Sequence, residues 1–451
     1  MTIPGYTKDE FGQKLSTVVN AATPVRSIQH LKGRELQLQE IERALYAVGR
    51  HIFIFGDRGV GKSSLAATAA YQFQSPDAEP IFVSGSPDDT FQSVIANIAV
   101  QALGRSKIEN RKNQESVSME FRGLKWSTGY EVSTTDLGAQ IKTIGDAAEL
   151  LKQVAQKHSE KPTIVLDEFD TIQLQVERAK FASLLKQLGD QSIEIKFFIT
   201  GIGSSCQELL GAHQSAYRQL ATIELLRLGW EGRREIVQDA ADAFGLELDD
   251  NVNWRIALIS DGYPYYIHLL IEKMLWATFD SEKKEPVLGW DEFNAGLRVA
   301  VKETNAELRL PYEKAVLQRP PEFEDIVWST ADGDDLFRSL DSMFMSYHRI
   351  VSEREVRQEV DRPKYVEIVR KLKDVGHGAI LRSIPGRTGW YEYKEKMLRG
   401  YVRMQAEANQ VVLTGEKIIP RQQMHIGNSR TGAYGPSVPK GVNQNREFGK
   451  K

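Results

Sequence analysis

The sequence predicts an α/β fold: a parallel sheet, then an all-helical segment, then a small module of three helices and a hairpin. Three observations carry this expectation. Short apolar runs alternate with amphipathic stretches over roughly 180 residues, the pattern of strands covered on both faces by crossover helices. One of those runs, 51–55, enters a glycine-rich turn with no intervening residue. From Gly229 onward helix-period patterns with short breaks replace the strand-like runs.

A length of 451 residues suits two or three domains. Hydrophobic residues at 41% and charged residues at 26% exclude a wholly disordered, collagen-like or disulfide-scaffold chain. The single cysteine, Cys206, allows neither an internal disulfide nor a thiolate metal cluster, and it fits a reducing compartment. No apolar run approaches the ~18 residues of a membrane span. The first residues also lack an apolar stretch of signal-peptide length. A cytoplasmic protein with no membrane partner is expected. The net charge of −3 conceals an asymmetry: from Arg362 to Lys451 there are 18 Lys/Arg against 7 Asp/Glu.

The first strand, HIFIF, runs into Gly56, Asp57, Arg58, Gly59, Val60, Gly61, Lys62, Ser63 and Ser64, which is GxxxxGK[ST] without a mismatch, and a helical stretch follows. Glycines let the backbone wrap a phosphate with several N–H groups pointing inward, and the helix N-terminus adds partial positive charge. Lys62 is expected to reach the β- and γ-phosphates and Ser63 to ligate Mg²⁺. A chance glycine turn would not supply strand, loop and helix together. The second strand, TIVL, ends in Asp167 and Glu168. Asp167 is expected to hold the metal through water, and Glu168 to act as general base on the attacking water. Carboxylates that merely cap a strand are the bland alternative.

Further strands are expected at 80–84, 195–200 and 222–228, with helices at 90–103, 144–158 and 176–188 between them. The core spans 29–228, after an N-terminal arm at 1–28. An interruption at 105–140 starts polar and then reads as a β-hairpin turning at Ser127-Thr-Gly129, a surface insertion on this reading. A helical lid is expected at 229–319. The third module, 320–408, reads as a winged helix. Its helices fall at 334–347, from a capping box at Ser352-Glu-Arg-Glu355, and at 363–374; its hairpin falls at 379–393; a last helix, 395–408, packs back. The tail, 409–451, is expected to be mobile and basic.

These motifs together resemble the AAA+ ATPases, in the branch holding origin-recognition initiators and STAND signalling ATPases, over roughly 27–408. Gly33, Arg34 and Glu35 look like the segment that lies near adenine and ribose in that family. Arg218, just before the last core strand, matches the arginine that reaches a neighbouring subunit's γ-phosphate. Gly262 and Pro264 look like the lid Gly-x-Pro motif beside the nucleotide. The family's usual asparagine is missing after the 195–200 strand, and Thr200 or Ser204 stands in its place. No clear lid arginine is present; Arg255 is a weak candidate. The resemblance implies ATP and Mg²⁺ as cofactors, an ATP-dependent homo-oligomer, and ATP hydrolysis at subunit interfaces, while the two departures bear on the rate of hydrolysis more than on nucleotide binding. The absence of an Asn-Lys-x-Asp motif agrees with ATP over GTP.

Two function classes stay open for the basic C-terminal part. Lys364, Arg370 and Lys371 on the third helix, with Arg382 and Arg387 on the hairpin, fit a module entering duplex DNA. The same module, packed on its own ATPase, fits a signalling or defence switch that controls a separate effector protein without DNA.

Overall fold

The structure is a computed structural model and describes residues 3, 5–20, 24–105, 118–127, 133–212, 216–281, 287–354 and 357–414. Five strands form the main sheet: β1 (His51–Phe55), β2 (Ile81–Ser84), β3 (Thr163–Asp167), β4 (Lys196–Gly201) and β5 (Leu220–Glu224). All neighbours are parallel, in the order β2-β3-β4-β1-β5. Residues 52–54 and 164–166 are buried, as apolar strands between two helical layers must be. Register pairs Ile54 with Thr200 and Ser84 with Asp167, so the carboxyl ends of β1, β3 and β4 share one edge. The chain leaves β1 toward β2 on one side, and β5 lies on the other. That reversal opens a crevice at the strand ends, where ligands of such sheets bind.

The helix Lys62–Phe73 lies against the sheet through the small buried side chains Ala66, Ala67, Ala69 and Ala70. Helices Phe91–Arg105, Ile144–His158 and Gln175–Asp190 form a second core with Phe91, Leu151, Phe181 and Leu185. Thr143 starts the middle one as a capping box with Asp146.

Several elements differ from expectation. β5 begins at Leu220 and ends at Glu224. The apolar residues beyond it leave the sheet: Leu225 N still donates to Phe55 O at 2.7 Å, but Leu228 N donates to Gly262 O at 2.9 Å in the lid. In the insertion, Ser118–Phe121 pairs with Leu124–Ser127, so the hairpin turns at Arg122-Gly123 rather than at Ser127. Both turn residues have positive φ, 50° and 85°, which a two-residue hairpin turn requires. Thr134–Gln140 is helical. Residues 106–117 and 128–132 of that insertion lie outside the described residues.

The lid comprises helices Trp230–Ala243, Asp250–Ile259, Pro264–Asp280, Trp290–Glu303 and Ala306–Val316, plus a two-residue parallel pairing of 247–248 with 287–288. The N-terminal helix Lys8–Val18 joins it: Phe11 is fully buried against Phe244, Trp276 and Phe279.

In the third module the helices are Glu322–Ala331, Leu340–Ser352 and Arg362–Lys371. Ser339 caps the second, which is why it starts later than expected. No helix begins at Ser352 among the described residues. Ser352 Oγ instead donates to Arg349 O, and Glu353 is the C-cap, so the capping-box letters serve a helix end; Glu355 lies outside the described residues. The strand Trp390–Tyr393 sits between Arg338–Ser339 and Leu381–Ser383, both antiparallel to it. Helix Leu398–Ala408 then returns to the lid. The tail is fastened as far as Thr414, because Val411 and Leu413 are buried and Thr414 N donates to Asp332 Oδ1 at 2.6 Å. Residues 415–451 of the expected tail lie outside the described residues.

A buried ionic centre joins the pieces. Asp261 pairs with Arg227 at 2.5 Å, and the guanidiniums of Arg399 and Arg403 stand 3.7 and 3.6 Å away. Those arginines also donate to carbonyls, among them Ala331 O from both. Burial opposes ionisation of Asp261, but the surrounding guanidiniums win and hold its carboxyl below the usual range.

Candidate nucleotide site

The loop between β1 and helix Lys62–Phe73 is a close fit to its surroundings. Gly56 has φ 159°, and a Cβ there would lie 2.2 Å from Leu225 O. Gly59 and Gly61 have φ of 79° and 96°, which side chains disfavour. Arg34 is 5% exposed and donates through Nη2 to Val60 O and to Leu226 O, both at 2.8 Å. Burial pushes its guanidinium down to about 10, so it remains charged at neutral pH. Arg34 therefore ties the loop to the start of the lid. Gly33 stands behind it, where a Cβ would lie 3.0 Å from Gly232 Cα.

At the strand ends, Ser63 Oγ donates to Asp167 Oδ1 at 2.9 Å. Thr200, 1% exposed, donates to the same oxygen, and its Oγ1 accepts from Glu168 N at 3.1 Å. Glu168 is exposed with φ 53°. A left-handed non-glycine residue costs of order 1 kcal/mol or more and needs support. Thr171 N and Oγ1 supply it by donating to Glu168 O at 2.9 and 2.7 Å. Gly85 leaves the space, since a Cβ there would lie 2.7 Å from Glu168 O. Ser204 is exposed at a helix start, so Thr200 is the hydroxyl that meets the acid pair.

Lys62 is turned onto its own loop, donating to Asp57 O at 2.9 Å and Gly56 O at 3.2 Å. Burial lowers its pKa, against the pull of Asp170, Asp167, Asp57 and Glu168. An ammonium that is partly desolvated among carboxylates is suited to an incoming polyphosphate. The hydroxyl and carboxylate of Ser63 and Asp167 are hard oxygen donors side by side, which suits Mg²⁺.

These groups open into one cavity of about 660 Å³. Its far wall includes Asn20, Val25, His30 and Leu31, residues of a strap that leaves the N-terminal helix. Val25 N donates to Ser64 Oγ at 3.1 Å, and Thr68 Oγ1 donates to Val25 O at 3.1 Å, so Ser64 is engaged by the strap. The lid adds Pro264, Tyr265 and His268. Gly262 is set back, packed on Leu228 O and Arg233. Arg255 pairs with Glu407 on the last helix, and neither residue lines the cavity.

The C-terminal module reaches the loop as well. Lys396 Nζ donates to Asp57 Oδ1 and Oδ2 at 2.8 and 2.9 Å. A Cβ on Gly59 would lie 2.1 Å from the Met397 sulfur. Tyr266 Oη of the lid donates to Met397 O at 2.8 Å, and Arg58 pairs with Glu307 at 2.6 Å. Each middle residue of the loop before Val60 thus meets a group from outside the core. Arg218 is exposed and stands just ahead of β5, whose first residue pairs with His51. It lies at the opposite end of the sheet from its own phosphate loop. The sequence reading did not find the strap, Gly85, Lys396 or His268, since their places depend on long-range packing. A glycine directly after β2 was the one local signal.

Residues 30–199 match the family model described as the AAA ATPase domain. No curated protein matches the chain. Among solved structures, the chain is similar to the Walker-type ATPase of Pyrococcus abyssi, with 13% identity and a TM-score of 0.49 over 84% of this chain and 98% of that one. It is similar to Cdc6p from Pyrobaculum aerophilum, with 15% identity and 0.44 over 87% and 98%. It is also similar to the Aeropyrum pernix Orc1 protein in complex with DNA, with 14% identity and 0.42 over 84% and 93%. In general terms the family match and the parallel sheet support a nucleotide-dependent ATPase domain over residues 30–199, and a largely helical region follows it. No helix among the described residues is long and apolar enough to cross a membrane.

Proposed function

We propose that this protein is an ATP-hydrolysing switch whose C-terminal module closes on its own phosphate loop, and whose hydrolytic site is completed by a second copy. The observation that carries the switch is the Lys396–Asp57 pair together with Met397 over Gly59, two contacts on the loop that would hold the phosphates. ATP would lie in the cavity between core, strap and lid. Ser63 and Asp167 would hold Mg²⁺, which when bound neutralises charge on the β- and γ-phosphates. Lys62 would leave its loop carbonyls for the phosphate oxygens. Glu168 would take a proton from water as the water oxygen bonds to the γ-phosphorus and the bond to the departing ADP oxygen breaks. Thr200 would hold the two acids in register. Arg218 of a neighbouring copy would face the terminal phosphate, a role its distance from its own site supports. Glu168→Gln should retain bound ATP and stabilise an oligomer, read by sizing in Mg-ATP. A variant that stays monomeric at micromolar concentration would sink the shared-site model.

A second reading has the third module as a winged helix on duplex DNA. Arg370 and Lys373 line a shallow cleft that Glu367 and Asp374 share, and Arg387 is exposed at the hairpin turn, which favours it. Lys364, Lys371 and Arg382 weigh less, being paired with Glu322 at 2.6 Å, Glu367 at 2.6 Å and Glu392 at 2.9 Å. Duplex binding that weakens steeply with salt, with a flatter slope in an Arg370, Lys371 and Arg387 triple alanine variant, would support DNA. No binding at low salt would leave the module to a separate effector protein.

A further inference from the structure

The nucleotide cavity has a second end that no phosphate chemistry uses. Pro264 begins the lid helix, and its Cγ lies 3.8 Å from where a Cβ of Gly61 would be. His268 is four residues on, hence on the same helix face and about 6 Å further from the loop. There the cavity is walled by Val25 and Leu31 of the strap and by Leu228 and Ile236 on the lid side. Apolar walls at this distance from a phosphate site suit a heterocyclic base.

The polar groups at that end are mostly engaged. Arg34 donates to two carbonyls, and Lys32 pairs with Asp239 at 2.5 Å. His268 differs. It lines the cavity, is only 6% exposed, and its Nδ1 is buried without a hydrogen-bond partner. Burial, helped by His30 across the cavity, lowers its pKa to about 4, so the ring is neutral at pH 7. A buried acceptor left unpaired is tolerated better than a buried donor, which assigns the ring proton to Nε2.

We propose that His268 hydrogen-bonds the base of the bound nucleotide, donating from Nε2 to a purine ring nitrogen, and so makes the site prefer a nucleoside triphosphate to bare triphosphate. The proposal rests on the nucleotide reading above and adds the residue that reads the base. Leu at this position keeps bulk and removes the donor. Gln returns a donor close to where Nε2 stood.

The test is calorimetric titration of the full chain with Mg-ATP and, separately, with magnesium tripolyphosphate, which carries the phosphates and no base. His268→Leu should weaken ATP about 2- to 12-fold, the range for one neutral hydrogen bond. It should leave tripolyphosphate unchanged, and His268→Gln should recover much of the loss. Unchanged ATP affinity in His268→Leu, or equal losses for both ligands, overturns the proposal. Wild-type protein binding tripolyphosphate as tightly as ATP overturns it too, while leaving the phosphate loop intact. Wild-type protein binding neither ligand means that the nucleotide reading itself has failed.

Discussion

If the C-terminal module holds the loop through Lys396, then breaking that pair should loosen nucleotide retention by a calculable amount. Both Asp57 oxygens accept from one ammonium, and the two side chains are 24% and 38% exposed. A half-exposed pair with good geometry is worth about 1 kcal/mol, well short of a buried one. That corresponds to roughly a 5-fold change in the open fraction of the module, since 1.4 kcal/mol is tenfold. Lys396→Ala and Asp57→Ala should each speed release of a fluorescent ADP analogue about 5-fold in stopped-flow displacement, and the double variant should be no faster than the quicker single. Raising salt from 50 to 500 mM should shrink the gap between wild type and variants. Arg58–Glu307, at 64% and 61% exposure, should contribute little in the same assay. Additive effects in the double variant would mean that the two residues act separately, and the clasp argument would be refuted.

Three further outcomes are expected. Arg218→Ala should cut turnover by about 10³ to 10⁵ and leave ATP affinity nearly unchanged, measured by phosphate release and titration; a matching loss of affinity would place the arginine in its own site. Gly85→Ala should reduce turnover far more than ATP affinity, because its methyl group would meet Glu168 O at 2.7 Å and push the acid turn from its left-handed conformation; unaltered turnover would show that the turn has room. Asp261→Asn should destabilise the fold by about 3–5 kcal/mol in chemical denaturation, by leaving buried guanidiniums without their counter-charge. The wild-type carboxyl is held below its usual range, so its stabilisation is complete above the unfolded pKa near 4 and is lost as pH falls through the lower folded value. The variant's deficit should therefore shrink on acidification, and a deficit unchanged with pH would argue against the charge network.

The phosphate loop and the acid pair were legible because their chemistry is local. A strand, a run of glycines and a lysine at fixed spacing act through backbone geometry that neighbouring residues determine. The sheet was legible for a similar reason, since strands buried on both faces stay apolar throughout. Element ends were harder. Leu225 and Leu228 look like strand, yet they are apolar because they meet the core edge and the lid. The Ser352 capping letters read equally well as a helix end. The C-terminal charge was the hardest, because counting treats every basic residue as surface. Arg399 and Arg403 are buried around Asp261, and Lys396 is spent on Asp57, so part of that excess faces inward.

The seating of Phe11 among Phe244, Trp276 and Phe279 has a mechanical corollary. The lid is tethered to the sheet body by two stretches of polypeptide, one running from the first helix toward Val25 and the other leaving the sheet at Leu225. A body tethered at two points swings like a door about the line between its hinges, with twisting resisted. Cutting either tether by site-specific proteolysis would release that restriction without removing a single side chain from the pocket.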